Sequence, residues 1–230
     1  MKKFVFIALL ALATAQVGRN TAIAAEPFDV NVVLSLTGQG AFLGKQLQQS
    51  MQLIEGIANK SGGIGGRPLR FVFSDDQTNP QIDVQLFNDF IGKKAAVVIG
   101  PSFTAPCLAA APLVLPSGPV MYCLSPAVHP THGTNMFTVS ASVVDDVSVF
   151  LRYFRLHGLT RIGVITSNDA TGQDVVRAVN LAMARPENKT MKLVETDRFG
   201  LTDISVAAQM SRLKASNPDA IIAWTTGTRG

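Results

Sequence analysis

The sequence contains little charge, few cysteines and few histidines. Only 16% of its 230 residues are Asp, Glu, Lys or Arg, and it has 2 cysteines and 3 histidines. No cysteines stand in the C-x-x-C spacing of a zinc site, and the neighbouring histidines, His129 and His132, have Pro130 between them. We therefore expect no metal site.

A strong charge imbalance is also absent. Lys and Arg number 20 against 16 Asp and Glu, but Lys2, Lys3 and Arg19 all precede the first acidic residue, Glu26. The rest of the chain is nearly neutral and has no basic run and no basic stripe interleaved with aromatic residues. A nucleic-acid partner is not expected.

Long apolar runs are confined to the N-terminus. Residues 1–25 have a cationic start, an apolar run at 4–15 and small residues at 22–25. This order is typical of a secretory signal peptide, with cleavage near Ala24 or Ala25. The run is shorter than the ~20 residues that cross a bilayer. We therefore expect an exported, periplasmic chain that is not embedded in a membrane.

Export affects the interpretation of the two cysteines, Cys107 and Cys123. An oxidising compartment allows them to persist as a disulfide. Spacing alone does not show that the two sulfur atoms meet, so a disulfide and two reduced, buried thiols both remain open.

After residue 27, short β-branched runs alternate with longer segments of helical period, which predicts βα units and a parallel sheet. The first helix is predicted to bury a face of Leu43, Leu47, Met51, Ile54 and Ile57. The predicted strands are 30–36, 70–74, 95–99, 120–124, 136–140, 161–166, 191–199 and 220–225. The other predicted helices include 105–115, 143–157 and 203–215.

These elements predict an α/β fold with a signal peptide at 1–25, a first lobe at 26–140 and a second lobe at 141–230. Three strands make a thin second lobe that would leave an open sheet edge and uncovered helices. We therefore expect the second lobe, and the chain, to be incomplete.

Two glycine motifs resemble sites of enzymatic chemistry without matching them. The glycine cluster at 62–66 follows a helix and enters a strand, the reverse of a nucleotide-binding loop, so a positive-φ connector and no cofactor are expected. The segment 100–104 resembles the Gly-x-Ser-x-Gly elbow of esterases around Ser102, but Thr104 replaces its final glycine. The chain is not expected to be an enzyme.

Hydroxyl side chains follow three of the predicted strands: Thr37 the first, Ser102 and Thr104 the third, and Ser125 the fourth. The carboxyl ends of parallel strands share one sheet edge, where ligands bind. The helix that starts near Thr104 adds unpaired N–H groups and partial positive charge. A small anion is therefore predicted at this edge, with simple helix capping by Thr104 as the alternative.

Acidic residues at the ends of elements are predicted to be structural. Asp75 and Asp76 end the second strand and are interpreted mainly as solvated turn and capping residues. Asp145, Asp146 and Asp169 precede or begin helices and are interpreted as caps. No carboxylate pair has a context that indicates acid–base catalysis.

Several stretches, in order and spacing, resemble the type I periplasmic solute-binding proteins of ABC importers, of the branched-chain amino acid (leucine/isoleucine/valine-binding) class. They are Leu36-Thr37-Gly38 with Gly44, residues 62–69, Asp75-Asp76-Gln77, residues 99–101, Ser125-Pro126-Ala127 and residues 217–220. The resemblance implies two Rossmann-like lobes that close on a ligand, delivery to ABC permease subunits, and a family chain that continues well beyond Gly230.

The resemblance also assigns positions in the cleft. Thr104 matches the hydroxyl that holds the ligand carboxylate, Ala127 a backbone group near the ligand amine, and Leu43 a pocket wall. His129 and Thr171 stand where the family has threonine and tyrosine, which makes a carboxylate with an aromatic or aliphatic half an alternative to an amino acid. The predicted ligand-binding residues are Thr37, Phe42, Leu43, Ser102, Phe103, Thr104, Ser125, Ala127, His129 and Thr171. A ligand-sensing domain of a regulator or receptor with the same fold remains the alternative function.

Overall fold

The predicted alternation of strands and helices is confirmed in the computed structural model, which describes residues 25–114, 118–139 and 142–225. The signal-peptide prediction falls almost wholly outside these residues, and so does the predicted lobe boundary between residues 140 and 141. Both stay predictions.

The first lobe is built on a five-stranded sheet in the order β2-β1-β3-β4-β5, in which every neighbouring pair is parallel. We use "first lobe" for this sheet with its helices. Its elements in chain order are β1 (Phe28–Leu34), α1 (Ala41–Lys60), β2 (Leu69–Asp75), α2 (Pro80–Gly92), β3 (Val97–Ile99), α3 (Thr104–Val114), β4 (Val120–Cys123) and β5 (Met136–Thr138).

The second lobe is built on a three-stranded parallel sheet in the order β7-β6-β8. Its elements are α4 (Val143–Leu156), β6 (Arg161–Ser167), α5 (Ala170–Met183), a 3₁₀ turn (Pro186–Asn188), β7 (Lys192–Phe199), α6 (Ala207–Ala215) and β8 (Ala220–Trp224). The helix predicted from residue 203 starts at Ala207. The reason is a turn in which the Gly200 N–H donates to the Asp203 carboxylate (2.8 Å) and the Asp203 N–H donates to the Gly200 carbonyl (3.0 Å).

One face of the first sheet is well covered. Helices α2 and α3 pack on it, and the resulting core includes Phe87, Phe90, Val98, Cys107, Ala110, Met121 and Cys123. Side chains alternate across a strand, so Val120 and Tyr122 of β4 face the other side, where they are 39% and 41% exposed. In the described part of the chain, that other side carries only α1, which packs on β1 and β2.

The buried face predicted for α1 is wrong at three positions, since Leu43, Ile54 and Ile57 are 37%, 57% and 56% exposed. The residue that α1 does bury is Gly44, because a Cβ there would lie 2.0 Å from the Ser35 carbonyl oxygen. The start of the helix therefore lies against the end of β1. The rest of α1 lacks a flanking helix within the described residues.

The glycine cluster between α1 and β2 is the predicted connector. Gly62, Gly63, Gly65 and Gly66 have φ values of 99°, 71°, 59° and 77°. Left-handed backbone of this kind is readily adopted only by glycine, so the cluster is explained by chain geometry without a nucleotide.

Candidate functional site

Three hydroxyl groups from both lobes meet in a buried cluster. The Thr104 Oγ1 atom lies 2.8 Å from Ser125 Oγ, within the first lobe, and 2.7 Å from Thr171 Oγ1 of the second lobe. The three residues are 2%, 4% and 3% exposed. We call Thr104, Ser125 and Thr171 the hydroxyl cluster. It is a neutral group in which each hydroxyl can donate or accept.

Two helices begin at this cluster. Thr104 is the first residue of α3, and Thr171 is the second residue of α5. Helix N-termini carry partial positive charge and unpaired N–H donors, which attract an anion. On α5 the Asp169 carboxylate already accepts from the Gly172 N–H at 2.9 Å, which confirms Asp169 as a cap. An anion between the lobes would therefore use the Thr171 hydroxyl rather than that amide.

Ser102 lies two residues before the cluster and is 3% exposed. Its Oγ atom has no hydrogen-bond partner among the described residues. Leaving a buried hydroxyl unpaired costs roughly 1–3 kcal/mol, so such groups usually have a ligand or an ordered water as partner. Ser102 thus offers a further donor beside Thr104.

A disulfide holds the first-lobe side of the site together. Cys107 of α3 and Cys123 of β4 are bonded, with their Cα atoms 6.0 Å apart, which settles the alternative left open by the sequence. Thr104 lies one helical turn before Cys107, and Ser125 lies two residues after Cys123. The Ser125 N–H also donates to Cys123 Sγ at 3.3 Å. The disulfide therefore connects the two segments whose hydroxyls meet.

The predicted apolar wall is only partly in place. Phe103 is 9% exposed, and its ring fills the space beside Gly40, where a Cβ would lie 2.2 Å from it. Ala127, which the resemblance assigns as a backbone group near the ligand amine, is buried and packs into the core of the second lobe. Phe42 and Leu43, in contrast, are 61% and 37% exposed on α1.

Thr37 lies at the same sheet edge but has a different partner. Its hydroxyl donates to Asp75 Oδ2 at 2.6 Å, and its backbone N–H donates to Asp75 Oδ1 at 3.1 Å. Burial acts to raise the pKa of Asp75, but hydrogen bonds from Thr37, Gln77 and Leu36 outweigh it and hold that pKa below its ordinary value. Asp75 is a turn-stabilising residue, as predicted.

Asp76 contradicts the prediction of a solvated acid, because it is fully buried. One carboxylate oxygen accepts from the Ser35 hydroxyl (2.6 Å) and the Thr78 N–H (2.7 Å), while the other has no partner among the described residues. Asp83, in the first turn of α2, is also fully buried, with both carboxyl oxygens lacking a partner in the described segments. We call Asp76 and Asp83 the acidic pair.

Burial dominates the ionisation of the acidic pair. It raises the pKa of Asp83 to about 8, and the nearby charge of Asp76 acts in the same direction. Burial also raises the pKa of Asp76, although the hydrogen bonds from Ser35 and Thr78 oppose the shift. Asp83 is therefore protonated at neutral pH.

A second contact between the lobes involves charged groups. His129 Nε2, on the loop after β4, lies 2.9 Å from Asp174 Oδ1 and 2.6 Å from an Arg177 guanidinium nitrogen, both on α5. Arg177 also donates to Asp174 Oδ1 through Nε at 2.9 Å. We call His129, Asp174 and Arg177 the interlobe triad. The sequence indicated only His129, because the i, i+3 pair on α5 looks like any exposed helical ion pair.

Other classes of site are not found in the described segments. No group of three or more His, Cys, Asp and Glu side chains there is arranged to hold a metal ion. Among the helices of residues 25–114, 118–139 and 142–225, none combines the length and hydrophobicity that a bilayer crossing requires.

Two parallel-sheet lobes that meet at a buried cluster of hydroxyl groups have the architecture of a two-lobed binding protein. Residues 27–229 match the family model described as periplasmic binding protein, so the chain belongs to that family. The predicted resemblance to type I periplasmic binding proteins and the predicted α/β fold class are both confirmed.

Individual relatives agree with this assignment. The chain is 32% identical over 71 residues, 31% of its length and 19% of the relative's, to a Leu/Ile/Val-binding protein homolog 2 of Brucella abortus (strain 2308). It is 25% identical to a type 1 periplasmic binding protein of Bordetella pertussis Tohama I, with a TM-score of 0.72 over 86% of this chain and 55% of that one.

A third relative shares the fold. The solute-binding protein of an ABC transporter from Rhodopseudomonas palustris, solved with benzoate, is 19% identical, with a TM-score of 0.70 over 86% of this chain and 55% of that one. The chain thus spans about half the length of the solved structures that it matches.

Proposed function

We propose that this chain is the substrate-binding component of an ABC importer, which captures an amino acid or another small carboxylate between its two lobes outside the cytoplasm. The observation that carries the proposal is the hydroxyl cluster, in which Thr104 and Thr171 bring together the N-termini of α3 and α5. The hydroxyls are neutral and have spare hydrogen-bonding capacity, and the N-terminus of α3 adds partial positive charge, whereas the Asp169 carboxylate caps the N-terminus of α5. Such a site favours a negatively charged ligand group.

The hydroxyls also provide a mechanism for closure. The Thr104 and Thr171 hydroxyls bond to each other at 2.7 Å. A carboxylate has two oxygens and about four acceptor positions, so it can take a hydrogen bond from each lobe at once. A ligand shifts a two-state protein only by its differential affinity for the two states, and contacts to both lobes exist only when the lobes are closed.

The part of the ligand beyond its carboxylate would contact an apolar side chain. The buried ring of Phe103 lies next to Thr104 in the chain and offers an apolar surface. Support for the ligand class also comes from the relatives, one described as a Leu/Ile/Val-binding protein homolog and another solved with benzoate. Delivery to permease subunits and export by residues 1–25 belong to the same proposal.

Calorimetric titration with matched pairs of ligands tests the carboxylate requirement. Leucine is compared with leucinamide, and benzoate with benzamide, because each pair differs only at the charged group. We expect binding of at least one carboxylate and at least a tenfold loss for its amide, since a hydrogen bond to a charged group is worth about 1.5–3 kcal/mol. No binding of any carboxylate, or equal binding of acid and amide, would contradict the proposal.

A further inference from the structure

The interlobe triad forms a bridge whose two sides belong to different lobes. Asp174 and Arg177 are both on α5, so their ion pair is internal to the second lobe and persists when the lobes separate. The two contacts of His129, to Asp174 Oδ1 at 2.9 Å and to Arg177 at 2.6 Å, are the ones that separation breaks. We infer that His129 and this ion pair form a latch that favours the closed arrangement of the lobes.

The latch lies next to the hydroxyl cluster on both lobes. Thr171 and Asp174 are three residues apart on α5 and therefore share one face of that helix. Ser125 and His129 are four residues apart on the segment that follows β4. Closing the cleft thus brings two layers together, one of neutral hydroxyls and one of charged groups.

Histidine suits this position because its Nε2 atom finds a partner in either tautomer of the ring. With Nε2 unprotonated, that atom accepts a hydrogen bond from the Arg177 guanidinium. With Nε2 protonated, it donates to Asp174 Oδ1. The other charged groups at this contact are the carboxylate and the guanidinium themselves, which already neutralise each other.

Burial makes the contact stronger than an ordinary surface pair. The Asp174 side chain is only 8% exposed, whereas His129 and Arg177 are 41% and 45% exposed and cover it. Hydrogen bonds to a charged group that is shielded from water are stronger than those between exposed groups. The loss of His129 therefore removes a cross-lobe interaction and leaves the Asp174–Arg177 pair intact.

This inference rests on the proposed function, since it requires lobes that open and close, but its test needs no ligand. Spin labels are attached to cysteines introduced at Lys60 and Lys214, which are exposed at the far ends of α1 and α6. The native cysteines form a disulfide and do not react with the labels. Pulsed electron–electron double resonance then measures the distribution of distances between the two spin labels, one on each lobe, in the ligand-free chain.

Three variants are compared in this labelled chain. His129→Ala removes the latch, and we expect the ratio of closed to open molecules to fall by about fivefold, the lower end of typical coupling effects. His129→Gln keeps one donor and one acceptor, and it is expected to retain most of the closed population. His132→Ala removes an exposed histidine of the same loop and should leave the distribution unchanged.

The outcomes separate the latch from the transport function. An unchanged distribution in His129→Ala, an equal shift in His132→Ala, or the same opening in His129→Gln as in His129→Ala would each overturn the latch. A chain that binds no carboxylate but opens in His129→Ala would keep the latch and overturn the proposed function.

Discussion

Two groups of buried polar side chains lie at the same edge of the first sheet, and burial affects them in opposite ways. The hydroxyl cluster is neutral, and its members bond to one another at 2.7 and 2.8 Å. The acidic pair, Asp76 and Asp83, keeps carboxyl oxygens without partners in the described segments, and burial raises both pKa values. A neutral hydroxyl can exchange its partner for an anion at little cost, whereas a buried carboxyl resists ionisation.

This difference indicates that the same sheet edge serves two purposes. At the hydroxyl cluster, the hydroxyl groups can bind a ligand. At the acidic pair, the buried carboxyl groups affect the stability of the first lobe and make that stability depend on pH.

The largest effect is expected from Asp83→Asn at alkaline pH. The pKa of Asp83 is raised from 3.8 to about 8 in the folded chain. Between these two pH values the folded chain therefore keeps a proton on Asp83 that the unfolded chain has lost. The free energy of unfolding should therefore fall as the pH rises from about 4 to about 8. An asparagine side chain has nearly the same shape as aspartate without the charge. The variant should exceed the parent in stability by several kcal/mol at pH 9, on a scale of about 1.4 kcal/mol per pKa unit.

Urea unfolding of parent and variant at pH 5, 7 and 9 measures this difference. Close agreement at pH 5 and a widening gap at higher pH are expected. Asp89→Asn, a change at an exposed carboxylate of the same helix that pairs with Lys93, is the matched control and should produce no such gap. Parallel pH profiles for the parent and Asp83→Asn would contradict the buried-acid interpretation.

The next effect concerns the disulfide that supports the hydroxyl cluster. Replacing Cys107 and Cys123 by Ala opens a loop with a sequence separation of 16. Chain-entropy estimates give about 3 kcal/mol for a loop of that size. We expect that loss of stability in urea unfolding, together with weaker carboxylate binding, because Thr104 and Ser125 are no longer held on connected segments.

Adding a reductant to the parent chain checks the disulfide prediction without a mutation. It should reproduce the loss of stability of the double variant and have no effect on the double variant itself. A double variant as stable as the oxidised parent would show that the bond does not hold the two segments together.

The smallest of the three effects, in free energy, is expected from Thr104→Val. Valine keeps the shape of the side chain and removes the hydroxyl that contacts Ser125 and Thr171. Loss of one hydrogen bond to a charged ligand group costs about 1.5–3 kcal/mol, so carboxylate affinity should fall by roughly ten- to a hundredfold. Calorimetry measures this change, and Thr131→Val at an exposed loop position is the control. Unchanged carboxylate affinity in Thr104→Val would show that the anion does not bind at the hydroxyl cluster.

The sequence predicted the elements of this fold well because βα units carry local signals. The β-branched runs and the glycines at 62–66 each indicated their own structure, and Gly62, Gly63, Gly65 and Gly66 do have positive φ. The sheet edge also brought Thr104 and Ser125 together, as parallel strands require. The prediction that Thr171 lies in the same cleft as Thr104 and Ser125 came from the family resemblance.

What the sequence did not show depends on contacts between distant segments. The burial of Asp76 follows from Ser35, which is 41 positions away in the chain, and local sequence around Asp76 has the features of an exposed turn. The role of Asp174 depends on His129, 45 positions away, from the other lobe. The exposure of Ile54 and Ile57 depends on which elements flank α1, which a helical period does not specify.

A crystal structure of the chain with a bound carboxylate, either leucine or benzoate, tests the anion site at the hydroxyl cluster most directly. We predict that the ligand carboxylate lies between the N-termini of α3 and α5, within hydrogen-bonding distance of the Thr104 and Thr171 hydroxyls, in place of their mutual bond. A ligand bound elsewhere, with Thr104 and Thr171 still bonded to each other, would contradict an anion site at the hydroxyl cluster.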